Sequence, residues 1–440
     1  MFISMNSQAF SQVWTKVPGT LDYVNFLKFS IHNQEKLFAG SDAIPTDITT
    51  NIVNFPFFGY GFQVSSNSGA TFSQAKLTDY SIFDIIESGE DASLLMVSAR
   101  KQDIGRILVT KDGGTTWDEE TKRCEGSSQA SRFQSASEGD SEVFYAAMLN
   151  STSGFRYSDD LFENCLTTVE TNINSRDLAI SKSNPKVLYL IGDNVSSARV
   201  LCSSDGGQSW QDRSEGLLNY RILSVQVSPL NEAVVVVGAD SITPAGRIFG
   251  MGVFYSDDYG LNWRHAGAAG ASVFDIQYHP TDSRYWAAAG GDKGVLISGT
   301  GGDYWEFSTD GLPEDFFARK VAIPNVAPDA NGIIVYASIY GNGIYKSNRI
   351  TTSVKNNDFA GNAELIQTVF PNPAENFISI ISEVDLNGLN YDIYNLFGSK
   401  LSFGKFGSSN LLNIAELASG TYFLKISQNE KYQLIKFIKN

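Results

Sequence analysis

Short apolar segments bounded by Gly, Pro, Asn and Asp recur along the whole chain. Residues 178–192, 225–238 and 276–290 each begin with an apolar run, pass through a Pro or Asn turn and end in a second apolar run at a glycine. This order predicts two short β-strands joined by a tight turn. No apolar run approaches the roughly 18 residues of a membrane-spanning helix, so the pattern predicts an all-β protein without a membrane span.

One phrase, Ser/Thr-x-Asp-x-Gly-x-Ser/Thr-Trp, is repeated. Its copies are Thr110–Trp117 and Ser203–Trp210, the looser Ser65–Phe72, Ser256–Trp263 and Ser298–Trp305, a decayed copy from Ser158 and a truncated one from Ser347. The copies start about 47 residues apart on average, and a period of roughly 40–50 residues with several short strands per unit is typical of propeller blades. Seven copies predict seven blades.

The phrase has a structural task in each blade. Its Ser or Thr and its Asp can bond backbone N–H groups of their own turn, and its glycines tolerate left-handed backbone angles. The terminal aromatic ring can pack between blades. We therefore assign structural roles, rather than metal binding or catalysis, to Asp112, Trp117, Asp205, Trp210, Asp258 and Trp263.

The seventh phrase is not followed by a fourth strand, because the segment after it is polar. The last blade is therefore one strand short at this point of the chain. Val13–Val17 resembles the fourth strands that follow other phrases. We expect it to complete the last blade and close the ring, which removes exposed sheet edges. The predicted fold is therefore all-β, with a seven-bladed β-propeller over residues 12–350, a linker over 351–366 and a small β-sandwich over 367–440.

The charge follows this division. The chain has 33 Lys and Arg against 48 Asp and Glu, a net charge of −15, yet the segment after residue 364 is neutral. The acid excess therefore belongs to the propeller, and it argues against nucleic acid or anionic lipid as a partner. Three scattered histidines predict no metal site, and no motif indicates a cofactor.

The cysteines are few. Cys124, Cys165 and Cys202 form an odd set without a C-x-x-C motif. We expect three unpaired small hydrophobic residues; the alternative is one Cys124–Cys165 bridge in an oxidising compartment.

Residues 1–11 predict the remnant of a signal peptide whose front part is absent. Ala9 and Ser11 fit the small-x-small pattern before a cleavage site, with Gln12 as the new first residue. The alternative is an ordinary chain terminus.

The repeated phrase resembles the Asp-box of bacterial neuraminidase repeats, which occurs in sialidases, sortilin-type receptors and xyloglucanase-type glycoside hydrolases. The resemblance implies that the Asp-boxes lie on the face opposite the active site. Sialidases place an arginine before the first Asp-box, whereas the first arginine here is Arg100. The resemblance therefore supports the fold and disfavours sialidase activity.

Two kinds of residue are expected on the face opposite the Asp-boxes. Loop aspartates could serve a glycoside hydrolase as its two carboxyl groups, although Asp is also simply a favourable turn residue; these are Asp42, Asp193, Asp240 and Asp292. The long loops 41–61 and 239–250 carry candidate ligand-binding residues, namely Phe57, Phe58, Tyr60 and Arg247. The aromatic rings could bind sugar or protein, or could instead fold back into the propeller mouth.

The last segment of the chain has its own motifs. Strand-like runs alternate with turns over residues 377–439, which predicts the small sandwich. This segment closely resembles the type A sorting domain of the type IX secretion system of one phylum of Gram-negative bacteria. The resemblance rests on Pro371, Asn372, Pro373, Gly398, Gly420, Tyr422, Lys436 and Lys439. It implies that the type IX translocon carries the protein through the periplasm and across the outer membrane, after which the domain is often removed.

The sequence thus predicts a secreted or cell-surface propeller that binds a glycan or a protein at the face opposite the Asp-boxes, without catalysis. The alternative is a glycoside hydrolase that uses the four aspartates. The sequence does not indicate the oligomeric state.

Overall fold

The structure, a computed structural model, describes most of the chain. The described residues are 13–41, 59–102, 104–121, 123–124, 129–138, 141–149, 154–164, 171, 173–194, 197–242, 247–329, 332–348, 368–370, 374–381, 386–395, 400–407, 410–428 and 431–439. They contain strands and no helix, so the all-β prediction is confirmed. The predicted signal-peptide remnant and linker lie outside the described residues.

The chain divides into two compact units, Met1–Thr352 and Ser353–Asn440. The strands of the first unit are β1 (Trp14–Lys16), β2 (Val24–Phe29), β3 (Leu37–Ser41), β4 (Phe62–Ser65), β5 (Ser81–Glu87), β6 (Leu95–Lys101), β7 (Ile104–Thr110), β8 (Gln129–Glu138), β9 (Ser141–Leu149), β10 (Phe155–Ser158), β11 (Asn174–Ile180), β12 (Leu188–Asp193), β13 (Ala198–Ser203), β14 (Gln211–Asp212), β15 (Arg221–Val227), β16 (Val235–Ile242), β17 (Ile248–Ser256), β18 (Arg264–Gly267), β19 (Asp275–Tyr278), β20 (Trp286–Ala289), β21 (Val295–Ser298), β22 (Glu306–Ser308), β23 (Ala318–Ala322), β24 (Tyr336–Ile339) and β25 (Gly343–Ser347).

These strands form seven antiparallel sheets among the described residues. Each sheet is an up-and-down meander: β2–β4, β5–β7, β8–β10, β11–β14, β15–β18, β19–β22, and β23–β25 joined by β1. The first strand of each sheet contacts the first strand of the next, and β23 contacts β2. The seven inner strands β2, β5, β8, β11, β15, β19 and β23 therefore form a closed ring, the arrangement of a propeller.

The ring is closed by β1. This strand pairs antiparallel with β25, with Trp14 opposite Ser347 and Lys16 opposite Tyr345. Trp14 is fully buried, and its indole Nε1–H donates to Ser308 Oγ at 3.0 Å. The prediction that the segment near residue 14 completes the last sheet is confirmed.

Apolar side chains fill the space between neighbouring sheets. The middle strands are buried on both faces, as in β12 and β20. One interface contains Tyr189 and Val200 of one sheet with Val225 and Val237 of the next.

The inner strands shift register near their beginnings in six of the seven sheets. Such bulges re-aim the side chains that follow them.

The second unit is a small two-sheet structure. Its strands are β26 (Thr368–Phe370), β27 (Phe377–Ile381), β28 (Asn390–Asn395), β29 (Lys400–Lys405), β30 (Leu411–Asn413), β31 (Gly420–Gln428) and β32 (Lys431–Lys439). The sheets have the orders β26-β27-β30 and β29-β28-β31-β32. One apolar core joins them and includes Ile378, Ile393, Leu424 and Phe437.

The expectation of three unpaired cysteines is wrong. Cys124 is disulfide-bonded, whereas Cys202 is free and buried. Cys165 lies outside the described residues. The alternative of one bridge that includes Cys124 therefore agrees with the structure, although an odd count without a C-x-x-C motif did not favour it.

Candidate functional site

The repeated phrases form hydrogen-bonded turns after the third strand of each sheet. In one copy, Ser203 Oγ donates to Asp205 at 2.8 Å and accepts from the Gly207 N–H at 2.8 Å, while Asp205 accepts from the Ser209 N–H at 2.9 Å. Asp112 and Asp258 make the same contacts in their turns. Hydrogen bonds from Asn262 hold the pKa of Asp258 below its ordinary value. These carboxylates are occupied within their turns.

The aromatic residues that end the phrases pack on the preceding sheet. The Trp210 ring lies edge-on to Phe155 at 5.0 Å, and Trp117 lies edge-on to Phe62 at 5.9 Å. The Trp263 Nε1–H donates to the Arg213 carbonyl oxygen at 2.8 Å. Each ring therefore joins two neighbouring sheets.

The turns define the two faces of the ring. The Gly206 N–H donates to the Lys186 carbonyl oxygen at 2.9 Å, so the phrase lies beside the connection between the first and second strands of its own sheet. We call this side the lower face. Because the strands alternate in direction, the connections between second and third strands lie on the opposite, upper face.

Two of the candidate aspartates on the upper face are bound to arginine within their own sheet. Asp240 is fully buried and accepts from Arg221 Nε at 2.7 Å and Nη2 at 2.5 Å. Asp193 accepts from Arg176 at 3.1 Å. Both carboxylates are therefore occupied by an arginine side chain of their own sheet.

Of the other two candidate aspartates, one is described. Asp292 is exposed and lies 3.1 Å from the ammonium group of its neighbour Lys293. Asp42 lies outside the described residues. In the part of the chain that is described, no group of three or more His, Cys, Asp or Glu residues could hold a metal ion.

The upper face also carries a row of five aromatic rings. Tyr60 is 40% exposed, and its ring lies 6.4 Å from that of Tyr23 with an interplanar angle of 19°. Tyr23 contacts Tyr340 edge-on at 5.1 Å. The Tyr340 N–H donates to the Phe317 carbonyl oxygen, and the Phe317 ring lies 5.2 Å from that of Phe274. We call these five residues the aromatic row.

Polar groups border the aromatic row. The Arg319 guanidinium lies 5.6 Å from the centre of the Phe274 ring. Gly291 lies so close to the aromatic row that a Cβ atom at this position would be 3.1 Å from the Phe274 ring and 3.4 Å from the Phe317 ring. Of the other ligand-binding candidates, Arg247 is exposed at the start of the β17 region, beside the exposed Ile248 and Phe249. Phe57 and Phe58 lie outside the described residues.

The sequence reasoning missed a charged layer at the centre of the ring. Arg132 donates to Asp177 at 2.6 Å and reaches across to Asp275 at 2.8 Å. Lys28 lies 2.7 Å from Asp84, and Lys320 lies 3.8 Å from Asp275. The central layer thus contains three cations and three carboxylates: Lys28, Arg132, Lys320, Asp84, Asp177 and Asp275.

The same aspartates join neighbouring inner strands. A second oxygen of each accepts a backbone N–H from the next sheet: Phe133 for Asp84, Val225 for Asp177 and Val321 for Asp275. Burial raises the pKa of Asp275, but Lys320 and Arg132 outweigh it and the pKa is lowered overall. Burial also lowers the pKa of Lys28 and Lys320. The central layer is therefore a stabilising cross-brace.

A cavity of about 610 Å³ extends from this layer towards the lower face. Lys28 and Arg132 line one end, and Ser30 and Pro280 belong to its lower part. Its wall also contains the amides of Gln134, Gln226 and Gln277. The Lys182 ammonium lies 5.2 Å from the centre of the Tyr278 ring, and burial lowers the pKa of Lys182.

The sorting-motif residues that are described lie on the last two strands. Gly420 begins β31, and Tyr422 is buried with its hydroxyl donating to the Ala418 carbonyl oxygen at 2.7 Å. Lys436 and Lys439 belong to β32. Pro371, Asn372, Pro373 and Gly398 lie outside the described residues.

Comparison with known proteins supports both units. Residues 368–440 match the secretion system C-terminal sorting domain family. A structure of YCF48 bound to D1 peptide is similar to this chain with a TM-score of 0.51 at 15% identity, covering 78% of this chain and 98% of that one. YCF48 from Cyanidioschyzon merolae gives a TM-score of 0.50 at 14% identity, covering 76% and 99%.

A crystal structure of a GH74 enzyme from Niastella koreensis matches with a TM-score of 0.37 at 13% identity. This match covers 93% of this chain and 75% of that one. No curated protein sequence matches the chain. At such identities the YCF48 structures show the fold alone. Among the described residues, no helix is long and apolar enough to cross a membrane. The chain therefore consists of a β-propeller followed by a type IX secretion C-terminal sorting domain, and the protein is secreted or attached to the cell surface.

Proposed function

We propose that the propeller is a non-catalytic binding module that holds a glycan on its upper face. The observation that carries this proposal is the aromatic row, which spans three neighbouring sheets. Its rings form two contact groups, Tyr60–Tyr23–Tyr340 and Phe317–Phe274, and a backbone hydrogen bond from Tyr340 to Phe317 links the two groups. Rigid rings with few rotatable bonds lose little entropy when a flat apolar surface stacks on them. Pyranose rings present such a surface, and the bordering Arg319 guanidinium offers N–H donors to their hydroxyl groups.

The glycoside hydrolase alternative has less support from the same face. Hydrolysis needs one carboxyl group that can donate a proton and a second that acts as base or nucleophile. Asp240 and Asp193 are both bound by arginine, and Asp240 is buried besides. A protein that only binds a glycan needs no such pair of carboxyl groups.

A peptide is the other ligand to test. YCF48, which has a similar fold, has been solved with a D1 peptide bound. Partly exposed tyrosine rings also serve as anchors for protein partners. The bordering polar groups favour a glycan, because a sugar offers a hydroxyl group on almost every carbon atom.

The test is a glycan array with the purified full-length chain, followed by titration of the best ligand with single variants. Tyr60→Ala and Phe274→Ala should each weaken binding roughly three- to ten-fold, since a stacked ring contributes about 0.5–1.5 kcal/mol. The control is Phe307→Ala, an equally exposed ring on the outer strand β22, which should bind as the unmodified protein does.

Three results would contradict the proposal. Binding of peptides but of no glycan would assign a protein ligand. Release of new reducing ends from the bound glycan would show catalysis. Equal losses in Phe307→Ala and Tyr60→Ala would remove the aromatic row as the site.

A further inference from the structure

We propose that the outward face of the four-stranded sheet in the sorting domain is the surface that a protein component of the type IX secretion system recognises. The proposal rests on the family match of residues 368–440 and is independent of what the propeller binds. Residues Ile393, Leu424 and Ile426 of this sheet point into the core of the second unit. Because side chains alternate along a strand, their neighbours Asp392, Tyr394, Phe423 and Lys425 lie on the outward face.

The outward face carries a contiguous apolar patch. Phe403 is 75% exposed and Leu401 is 48% exposed, both on β29. Across the sheet, Phe403 lies opposite Asp392, and Tyr394 lies opposite Phe423. Lys400 joins these rows, because its ammonium group lies 5.8 Å from the Phe403 ring centre and 5.9 Å from that of Tyr394. Single exposed apolar side chains are ordinary, whereas contiguous patches mark interaction sites.

The described residues of the same face include more lysines than acids. Its cations are Lys400, Lys405, Lys425 and Lys436, and its one described acid is Asp392, which lies 3.0 Å from Lys400. This sign is opposite to the net charge of −15 of the whole chain. Charge complementarity therefore favours a partner surface that is acidic and apolar, and it would also orient the encounter.

The patch reaches the open edge of the sheet. Within the described strands, β29 pairs only with β28. At the opposite edge, the end of β32 is paired: Lys439 forms a bridge with Ala374, whose N–H donates to the Ile438 carbonyl oxygen at 2.8 Å. An unpaired strand edge offers backbone groups to a partner. The partner thus finds apolar rings, lysines and an open edge on one side of the domain.

The test uses the full chain expressed in a bacterium that has a type IX secretion system. Phe403→Ser and Lys405→Glu should each lower the exported fraction about ten-fold, with the protein accumulating in the periplasm, because the first removes an apolar anchor and the second reverses a charge that faces the partner. The matched control is Phe377→Ser, a ring of 47% exposure on β27 in the other sheet, which should be exported normally. Lys405→Gln should fall between the unmodified protein and Lys405→Glu, because it removes a charge without reversing it.

Limited proteolysis of the periplasmic protein checks that the sorting domain stays folded. If Phe403→Ser is degraded, Lys405→Glu decides, because an exposed lysine at the strand end supports no core packing. The proposal would be overturned if Lys405→Glu is exported normally and Phe403→Ser is either exported normally or only degraded. Normal export followed by loss from the cell surface would overturn it too, because the face would then serve attachment to the envelope and not recognition.

Discussion

A single arginine joins three inner strands that are distant along the chain. Arg132 on β8 binds Asp177 on β11 and Asp275 on β19, and all three side chains are buried. Removing one partner of a buried ion network leaves charges without compensation, which costs far more than the network itself contributes relative to apolar residues. Loss of Arg132 alone would therefore take a partner from two buried carboxylates, Asp177 and Asp275.

We expect Arg132→Met to lower the free energy of unfolding by about 3–5 kcal/mol. Arg176→Met is the control, because Arg176 and Asp193 form a half-exposed pair whose loss should cost less than about 1 kcal/mol. Chemical denaturation of both variants measures the two losses. Equal losses would show that the central layer contributes no more than a surface ion pair.

The same variant has a defined pH dependence. Lys320 and Arg132 lower the pKa of Asp275 in the folded protein, so its contribution to stability is present above its unfolded pKa and is lost as the pH falls. Without Arg132 this carboxyl should titrate at higher pH and become neutral sooner. The deficit of Arg132→Met should therefore be largest near pH 7 and shrink towards about pH 4.

At the scale of elements, the three-residue strand β1 contacts two neighbouring sheets of the ring. Trp14 is fully buried against Val321, Val335 and other residues of the last sheet. Its indole also bonds Ser308 in the preceding sheet. A short strand from the start of the chain thus fastens the last sheet of the ring to its neighbour.

We expect Trp14→Ala to cost about 3–5 kcal/mol, the range for removing a buried aromatic ring. Thr15→Ala, an exposed position in the same strand, should change stability by less than about 0.5 kcal/mol. Denaturation measures the difference, and hydrogen exchange should show faster exchange in β25 of the tryptophan variant. A tryptophan variant as stable as Thr15→Ala would mean that β1 does not hold the ring closed.

The elements also show what sequence could and could not predict. The repeated phrase predicted the turns after the third strands, and the resemblance of Val13–Val17 to a fourth strand predicted β1. The central layer was not predicted, although Asp84 and Asp177 lie within inner strands and Asp275 begins one. Their meeting depends on bulges and on contacts between distant sheets, which no local pattern contains. The aromatic row was missed for the same reason, apart from Tyr60.

At the scale of the molecule, each unit contains its own sheets. No sheet among the described strands combines strands from both units. The ring of inner strands is completed by β23 and closed by β1 and β25, before residue 348. The sorting domain has a separate core of its own. The propeller therefore has what it needs to fold without residues 368–440.

This independence gives the last prediction. A chain ending at residue 352 should keep the melting temperature of the propeller, because the described sheets of the ring and the apolar clusters between them are made of residues before 348. It should also accumulate in the periplasm, because the sorting domain is the part that the secretion system reads. Fractionation and thermal melting test the two halves separately, with Phe377→Ser as the control that leaves both export and melting unchanged. A truncated chain that melts normally yet reaches the medium would show that the propeller contains a second export signal. A truncated chain that no longer melts cooperatively would show that the two units depend on each other for folding.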